Sequence, residues 1–201
     1  MTWIQTISFA SATGKLKDIY KRVTGPDNNV DNILMAHSLR PHTLEGHMAI
    51  YKAVLHHYGN SIPKWMLEVL GVYVSLMNNC TYCVEHHFSG LSRLLKDQGK
   101  ADQIRSALEE HAPDLALEAK YVAACQYARK LTENPKDMSE YDVRSLKDAG
   151  FDDGEVLEIN QVVAYFAYAN RTVLGLGINT DGDVIGLSPN SSENPDDWSH
   201  S

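Results

Sequence analysis

The chain has 201 residues, with 18 Lys and Arg against 26 Asp and Glu for a formal net charge of −8, and this length suits one domain with a sizeable core. The acidic balance argues against sequence-independent nucleic-acid binding, and no apolar run approaches the roughly 18 residues that a membrane span needs. The start lacks the features of a secretion signal and three cysteines are too few for a disulfide scaffold, so we expect a cytoplasmic protein with reduced thiols.

Apolar residues recur at helical spacing along most of the chain, and glycine and proline fall mainly between these periodic stretches. Few stretches alternate with the period of a strand, so the predicted fold class is all-α. Ser61 is expected to cap a helix with Pro63 in its first turn, and Ser139 with Asp142 resembles a capping box. The predicted helices span residues 11–23, 31–38, 42–58, 61–77, 80–97, 115–131, 139–148 and 153–175.

The helices are expected to form a single domain over residues 1–178, followed by a polar tail over residues 179–201. The composition of the tail predicts a frayed or surface-wrapping terminus, and Trp198 within it suggests docking on the body or on another subunit. Two similar segments, 67–70 and 157–160, each open a long apolar helix, which would fit an internal repeat of a helical hairpin.

The tetrapeptide from Cys80 to Cys83 is a C-x-x-C motif at the predicted start of a helix, within the motif-bearing stretch 60–98. Asn78 and Asn79 precede it and are plausible N-caps. The positive end of the helix dipole and its unpaired N–H groups favour thiolates, so we expect a lowered cysteine pKa. The i,i+3 spacing places both sulfurs on one face, close enough to oxidise to a disulfide. The motif alone fits a redox couple, half of a zinc site or coincidence.

A histidine follows the motif at helical spacing. His87 lies four residues after Cys83, so on a helix its imidazole would stack over that thiol and could take its proton. The neighbouring His86 points about 100° away and is expected to be solvated.

The third candidate in this region is an acid in an apolar helix. Glu68 is the only charged residue between Trp65 and Met77, a stretch that is apolar nearly all round and should be buried. A buried carboxylate must be protonated, paired or used. We therefore predict that Glu68 reaches the face that carries His87 and relays protons there.

Glu68, eleven intervening residues, the cysteine pair, three more residues and His87 form a pattern that resembles the AhpD-like alkylhydroperoxidases of the carboxymuconolactone decarboxylase superfamily. The stretch 73–87 and the segment 169–171 are similar to its uncharacterised peroxidase-related branch, so the resemblance covers nearly the whole chain. It implies an AhpD-like helical bundle, a peroxidase that needs no flavin, haem or metal, and a homo-oligomer.

The resemblance also implies a role for each residue. Cys83 would attack an organic hydroperoxide, Cys80 would resolve the sulfenic acid to a disulfide, and Glu68 and His87 would relay protons. An external dithiol, from a lipoyl-bearing or thioredoxin-like protein, would restore the thiols. By analogy with thioredoxin-type sites, the two cysteines could exchange roles. Tyr82 stands where a well-known member has a second relay histidine, and a phenol with a pKa of about 10 carries protons poorly at neutral pH, which predicts weak turnover or a bridging water.

The other candidates are assigned structural roles. Cys125 is expected in the core, and Asn170 with Arg171 is expected to make structural hydrogen bonds inside an apolar helix. Three aromatic residues are read as core or subunit contacts: Tyr165, Phe166 and Tyr168. Four histidines are expected to be solvated or at the edge of the core, although the second of them could line the site: His42, His47, His56 and His57.

Two other functions fit the same residues. Cys80, Cys83 and His87, with Glu68 as a fourth ligand, could hold a zinc ion in a metal-binding or regulatory protein. Alternatively, the chain could be a lyase similar to the decarboxylase arm of the superfamily, in which the thiols are incidental.

Overall fold

The computed structural model describes residues 2–194 and 197–201, and in these residues the protein forms nine α-helices and no β-sheet, which confirms the predicted all-α class. None of the described helices combines the length and apolar character needed to span a membrane. A π-helical turn, Lys52–His56, continues the third helix. The helices are α1 (Gly14–Val23), α2 (Asn32–Ala36), α3 (Pro41–Tyr51), α4 (Lys64–Met77), α5 (Thr81–Leu95), α6 (Gln98–Glu109), α7 (Ala119–Glu133), α8 (Glu140–Asp148) and α9 (Asp153–Leu176).

Helix α6 has no counterpart among the predicted helices. Gly99 follows the predicted helix 80–97 and lies in the first turn of α6, after the N-cap Asp97, which accepts a hydrogen bond from the Lys100 N–H at 3.0 Å. The apolar stripe of α6 is also thin, with Ile104 and Leu108 as its only large buried residues.

The expected cap of α4 is wrong, whereas that of α8 is confirmed. Pro63 is the N-cap of α4, and the Ser61 and Ile62 N–H groups both donate to the Glu158 carboxylate at 2.8 Å. Glu158 therefore anchors the segment that leads into α4, and no side chain caps the helix itself. The capping box of Ser139 with Asp142 is formed as predicted.

The expected asparagine caps of α5 are also wrong. Asn78 ends α4, and Asn79 adopts a left-handed conformation with φ of 54° in the tight turn that follows. Cys80 itself is the N-cap of α5, and its side chain makes no capping hydrogen bond. The Cys80 thiol therefore lies at the N-terminus of α5, where the first N–H groups have no intrahelical partner.

Helix α4 is the centre of the bundle and packs against α5, α7 and α9. It is buried nearly all round, as its apolar sequence predicts. Gly71 permits the closest approach, because the Phe166 ring of α9 occupies the space where a Cβ would lie. The residues of α4 that are at most 1% exposed include Met66, Leu67, Val69, Leu70, Val72, Tyr73 and Val74.

The described part of the tail packs on the helical body. Trp198 is 4% exposed, and the Arg22 guanidinium lies 3.8 Å from the centre of its ring. Asn32 donates hydrogen bonds to the Asn179 and Asp181 carbonyls, and Lys52 donates to the Asp197 carbonyl at 2.5 Å. The tail thus wraps the surface and runs along α5, where Tyr82 donates to Asp183 and Arg93 donates to Ser188.

Replacing Gly71 by alanine tests the close packing of α4 on α9. In an open helix, glycine to alanine raises the free energy of unfolding by about 0.5–1 kcal/mol. At Gly71 the new methyl group would overlap the Phe166 ring, so we expect Gly71→Ala to lower it by about 1–3 kcal/mol in urea denaturation. Gly46→Ala in α3 is the matched control, because a Cβ there meets nothing within 4 Å. Equal stabilisation by both changes would show that the approach is not tight.

Candidate active site

Helices α4 and α5 place an acid and an imidazole in direct contact. His87 Nδ1 lies 2.7 Å from Glu68 Oε2, and Glu68 is only 3% exposed. Gly90, one turn beyond His87, leaves room for the carboxylate, since a Cβ there would lie 3.3 Å from Glu68 Oε1. When Glu68 is ionised, His87 donates from Nδ1, and its Nε2 is left to accept a proton.

The two cysteines of the motif are free, buried and hydrogen-bonded to each other. The hydrogen bond from Cys83 lowers the pKa of Cys80, whereas its bond to Cys80 and its burial raise the pKa of Cys83 well above the usual value. Cys80 is therefore the more acidic of the two thiols. This differs from the expectation that His87 favours a thiolate on Cys83, because the nearest partner of each sulfur is the other sulfur.

Asn170 of α9 fixes this pair. Its side chain hydrogen-bonds to both sulfur atoms and lowers the pKa of each thiol. Its own orientation is set by Asn78, which donates to its Oδ1 at 2.9 Å, and by Ser75, which accepts from its Nδ2 at 3.0 Å. The structural hydrogen bonds expected for Asn170 are present, and the sequence reasoning missed its contact with the thiols.

The two sulfurs face different spaces. Cys83 lines an internal cavity together with Glu68 and His87. Cys80 lines a separate cleft of about 160 Å³ whose wall includes Glu85 and Arg105. Cys80 is 0% exposed and Cys83 is 3% exposed, so both thiols are shielded from bulk solvent.

The internal cavity has a volume of about 40 Å³, which holds about one water molecule or a hydroperoxy group. Its wall combines the predicted residues of α4 and α5 with aromatic side chains of α3 and α9. The tail closes it through Leu187, Ser188 and His200. The remaining lining includes Asp31, His47, Tyr51, Tyr82, His86 and Tyr165.

His86 was expected in solvent and is instead buried in this wall. Its Nε2 lies 3.3 Å from Asp183 Oδ2, and Tyr82 donates to the same carboxylate oxygen at 2.8 Å. Burial and Asp183 raise the pKa of Tyr82 well above the usual value. The four-residue spacing of Tyr82 and His86 on the cysteine-bearing helix was a usable signal, whereas nothing in the polar tail marked Asp183.

The histidines of the α3 region differ from one another. His47 lies at the cavity between Tyr51 and Tyr165, and burial lowers its pKa to about 3. His56 is also buried, and its ring meets the edge of Tyr51 at 4.9 Å. His42 is exposed, as expected.

Three further expectations concern the core. Phe166 is buried, and its ring meets His87 edge-on at 4.6 Å, whereas Tyr168 is 42% exposed. Cys125 is buried, and burial raises its pKa to about 12.

Within residues 2–194 and 197–201, no three His, Cys, Asp or Glu side chains are grouped so that they could hold a metal ion.

No protein-family model and no curated protein matches the chain, but solved structures do. An uncharacterised peroxidase-related protein with an AhpD core from Ralstonia eutropha JMP134 aligns with a TM-score of 0.76 and 22% identity over 89% of this chain and 91% of that one. An uncharacterised peroxidase-related protein from Silicibacter sp. TM1040 aligns with a TM-score of 0.67 and 25% identity, over 77% of this chain and 80% of that one. A cysteine-to-alanine variant of the debrominase Bmp8, in complex with 2,3,4-tribromopyrrole, aligns with a TM-score of 0.69 and 15% identity, over 89% of this chain and 91% of that one.

The hydrogen bond between the thiols can be tested by removing its donor. Cys83→Ala leaves the Cys80 sulfur without that donor, so we expect the pKa of Cys80 to rise. Cys83→Ser retains an O–H donor, so the pKa of Cys80 should stay lower in this variant than in Cys83→Ala. The pH dependence of Cys80 alkylation by iodoacetamide, followed by mass spectrometry, measures both. The same pKa in the two variants would rule out this bond as the cause.

Asp31 gives a second test, through stability. Burial is the main cause that raises the pKa of its carboxyl to about 6 from 3.8. A raised folded-state pKa stabilises the protein below the unfolded value and this contribution is lost as pH rises through about 6. The unfolding free energy of the wild type relative to Asp31→Asn should therefore fall by up to about 3 kcal/mol between pH 4 and 7. A pH-independent difference in denaturant titrations would contradict this.

Proposed function

Because the chain has the fold of the AhpD-like superfamily, we propose that it is a cysteine-dependent hydroperoxide reductase in which Cys83 reacts with the peroxide and Cys80 resolves the product. One observation carries the proposal. Cys83 shares the wall of a small cavity with His87, and His87 is hydrogen-bonded to the buried Glu68. A nucleophile, a base and the acid that orients the base thereby line the same cavity.

The proposed attack begins with proton transfer from Cys83. His87 Nε2 is the acceptor, because Nδ1 is bonded to Glu68 and residues four apart on a helix lie on the same face. The Cys83 thiolate attacks the distal peroxide oxygen, the O–O bond breaks, and its electron pair leaves with the alkoxide. The alkoxide takes the proton from His87, which gives an alcohol and a Cys83 sulfenic acid.

Resolution uses the low-pKa partner. The Cys80 thiolate attacks the Cys83 sulfur, the S–O bond breaks, and hydroxide leaves as water after protonation. The lowered pKa of Cys80 suits it to this second step. Asn170 holds both sulfurs and supports the short approach that disulfide formation needs.

Tyr82 is not part of the proposed relay. Its raised pKa keeps the phenol protonated, and its hydroxyl group is bonded to Asp183. The relay therefore rests on Glu68 and His87, with a cavity that has room for a bridging water.

An external dithiol would return two electrons and two protons to the pair. We propose a lipoyl-bearing or thioredoxin-like protein that reaches Cys80 through its cleft beside Arg105. We also propose a cytoplasmic homo-oligomer, in which the exposed apolar residues Leu157, Tyr168 and Leu174 of α9 are covered. Sedimentation that shows only a monomer would reject this assembly.

The reaction is tested with one molar equivalent of cumene hydroperoxide on the reduced protein, followed by mass spectrometry. We expect a Cys80–Cys83 disulfide with Cys125 still free, because burial keeps that thiol protonated. In Cys80→Ser the reaction should stop at a Cys83 sulfenic acid that dimedone traps. Glu68→Gln should slow oxidation by about 100-fold, as is typical for loss of general-base catalysis.

Cys125→Ser is the matched control and should react like the wild type. Trapping on Cys80 in Cys83→Ser, at the wild-type rate, would reverse the assignment of the two cysteines. Stoichiometric zinc in protein purified without added metal would favour the metal-binding alternative. Turnover of a cyclic carboxylate by a variant that lacks both thiols would favour the lyase, and 2,3,4-tribromopyrrole serves as a probe for dehalogenation.

A further inference from the structure

A second, larger cavity adjoins the one that contains Cys83. It has a volume of about 360 Å³, and the two cavities share Glu68 and Ser188 in their walls. We call this larger space the vestibule. Its other lining residues are His56, Lys64, Arg93, Leu94, Pro189, Asn190, Ser191 and Ser201.

The vestibule carries positive charge in a protein whose net charge is −8. Lys64 and Arg93 lie in its wall, and burial and the nearby Lys52 lower the pKa of Lys64. Glu68 is the only acidic residue among its described lining residues, and it is already bonded to His87. The positive charge of the vestibule is therefore not balanced by the side chains around it.

The cations differ in their partners. Arg93 donates to the Ser188 hydroxyl at 2.8 Å and to the Ser201 backbone oxygen at 3.0 Å, so it holds the tail in place. Lys64, at the first turn of α4, takes part in none of the ion pairs or hydrogen bonds found among the described side chains. Lys64 is thus the charge that remains for a ligand.

A buried polar atom also lacks a partner in this wall. His56 is 6% exposed, and its Nε2 has no hydrogen bond within the described part of the chain. Burial, His87 and Lys64 lower its pKa well below the usual value, so the ring is neutral. A neutral imidazole with its proton on Nε2 can donate to an oxyanion.

We propose that the vestibule binds the anionic end of an organic hydroperoxide, a carboxylate or a phosphate, while the hydroperoxy group reaches Cys83 in the inner cavity. This inference rests on the proposed function. The inner cavity of about 40 Å³ is too small for an organic body, whereas the vestibule of about 360 Å³ is in the range of small-molecule sites. Lys64 and His56 bind the oxyanion, and Arg93 adds charge.

The test compares two substrates that differ in charge and by one methyl group: para-carboxy cumene hydroperoxide and its methyl ester. The measured quantity is the second-order rate constant for formation of the Cys80–Cys83 disulfide in a single turnover. We expect the acid to react roughly tenfold faster than the ester in the wild type, as a charge-assisted contact provides. In Lys64→Gln this ratio should fall towards unity, and Lys64→Arg should restore most of it.

Lys136→Gln is the matched control, because it removes the same charge from a residue that does not line the vestibule, and it should retain the wild-type ratio. Circular dichroism verifies that each variant is folded. Added salt should reduce the ratio, since it screens the attraction. A wild-type ratio of one, or an equal ratio in Lys64→Gln and the wild type, would overturn the inference and leave the proposed function standing.

Binding measured without turnover separates the two proposals. Calorimetric titration of the reduced protein with benzoate and with phenyl phosphate should show heat in the wild type that Lys64→Gln loses. Binding of one probe alone identifies the preferred oxyanion, and binding of neither overturns the site. If no peroxide oxidises the cysteine pair but benzoate binds through Lys64, the proposed function fails and the anion site remains.

Discussion

The burial of α4 on all sides is the constraint from which the candidate site follows. A helix packed against α5, α7 and α9 leaves little solvent for a charged side chain, yet Glu68 lies in its second turn and is only 3% exposed. Such a carboxylate is tolerable only with a close partner, and His87 of the neighbouring helix supplies it at 2.7 Å. Gly90 leaves the room for this contact. The hydrogen bond that satisfies the core also orients the imidazole, so one contact serves both stability and the proposed proton transfer.

A separate set of contacts determines the acidity of the two cysteines. The turn between α4 and α5 makes Cys80 the N-cap of α5, and Asn170 of α9 hydrogen-bonds to both sulfurs. Because each thiol has the other as its nearest partner, their acidities move in opposite directions. The lower pKa belongs to Cys80, whereas the wall of the inner cavity belongs to Cys83. Cys80 is thus the more acidic thiol, whereas Cys83 is the thiol that lines the inner cavity. This difference suits a reaction in which one thiol attacks the substrate and the other resolves the product.

The tail completes the site, although its composition suggests a terminus of little consequence. Asp183 accepts hydrogen bonds from Tyr82 and from the Asn32 N–H, and Leu187 and His200 close the inner cavity. The tail also forms one side of the vestibule, which is larger than the cavity beside Cys83 and is lined by Lys64 and Arg93. The vestibule is therefore locally positive, although the net charge of the chain is −8.

The sequence by itself determined the all-α class, the burial of α4 and the grouping of Glu68 with His87, because helical periodicity and residue spacing are local properties. It did not determine α6, whose apolar stripe is thin, or the start of α4, where Glu158 of α9 binds the N–H groups of Ser61 and Ile62 just before the helix. Only the tertiary structure decided which thiol is the more acidic, that His86 is buried, and that the tail closes the cavity. Those features depend on contacts between residues far apart in the chain, such as Cys83 with Asn170 and Tyr82 with Asp183, and burial and hydrogen bonding set acidity only once these distant residues have met.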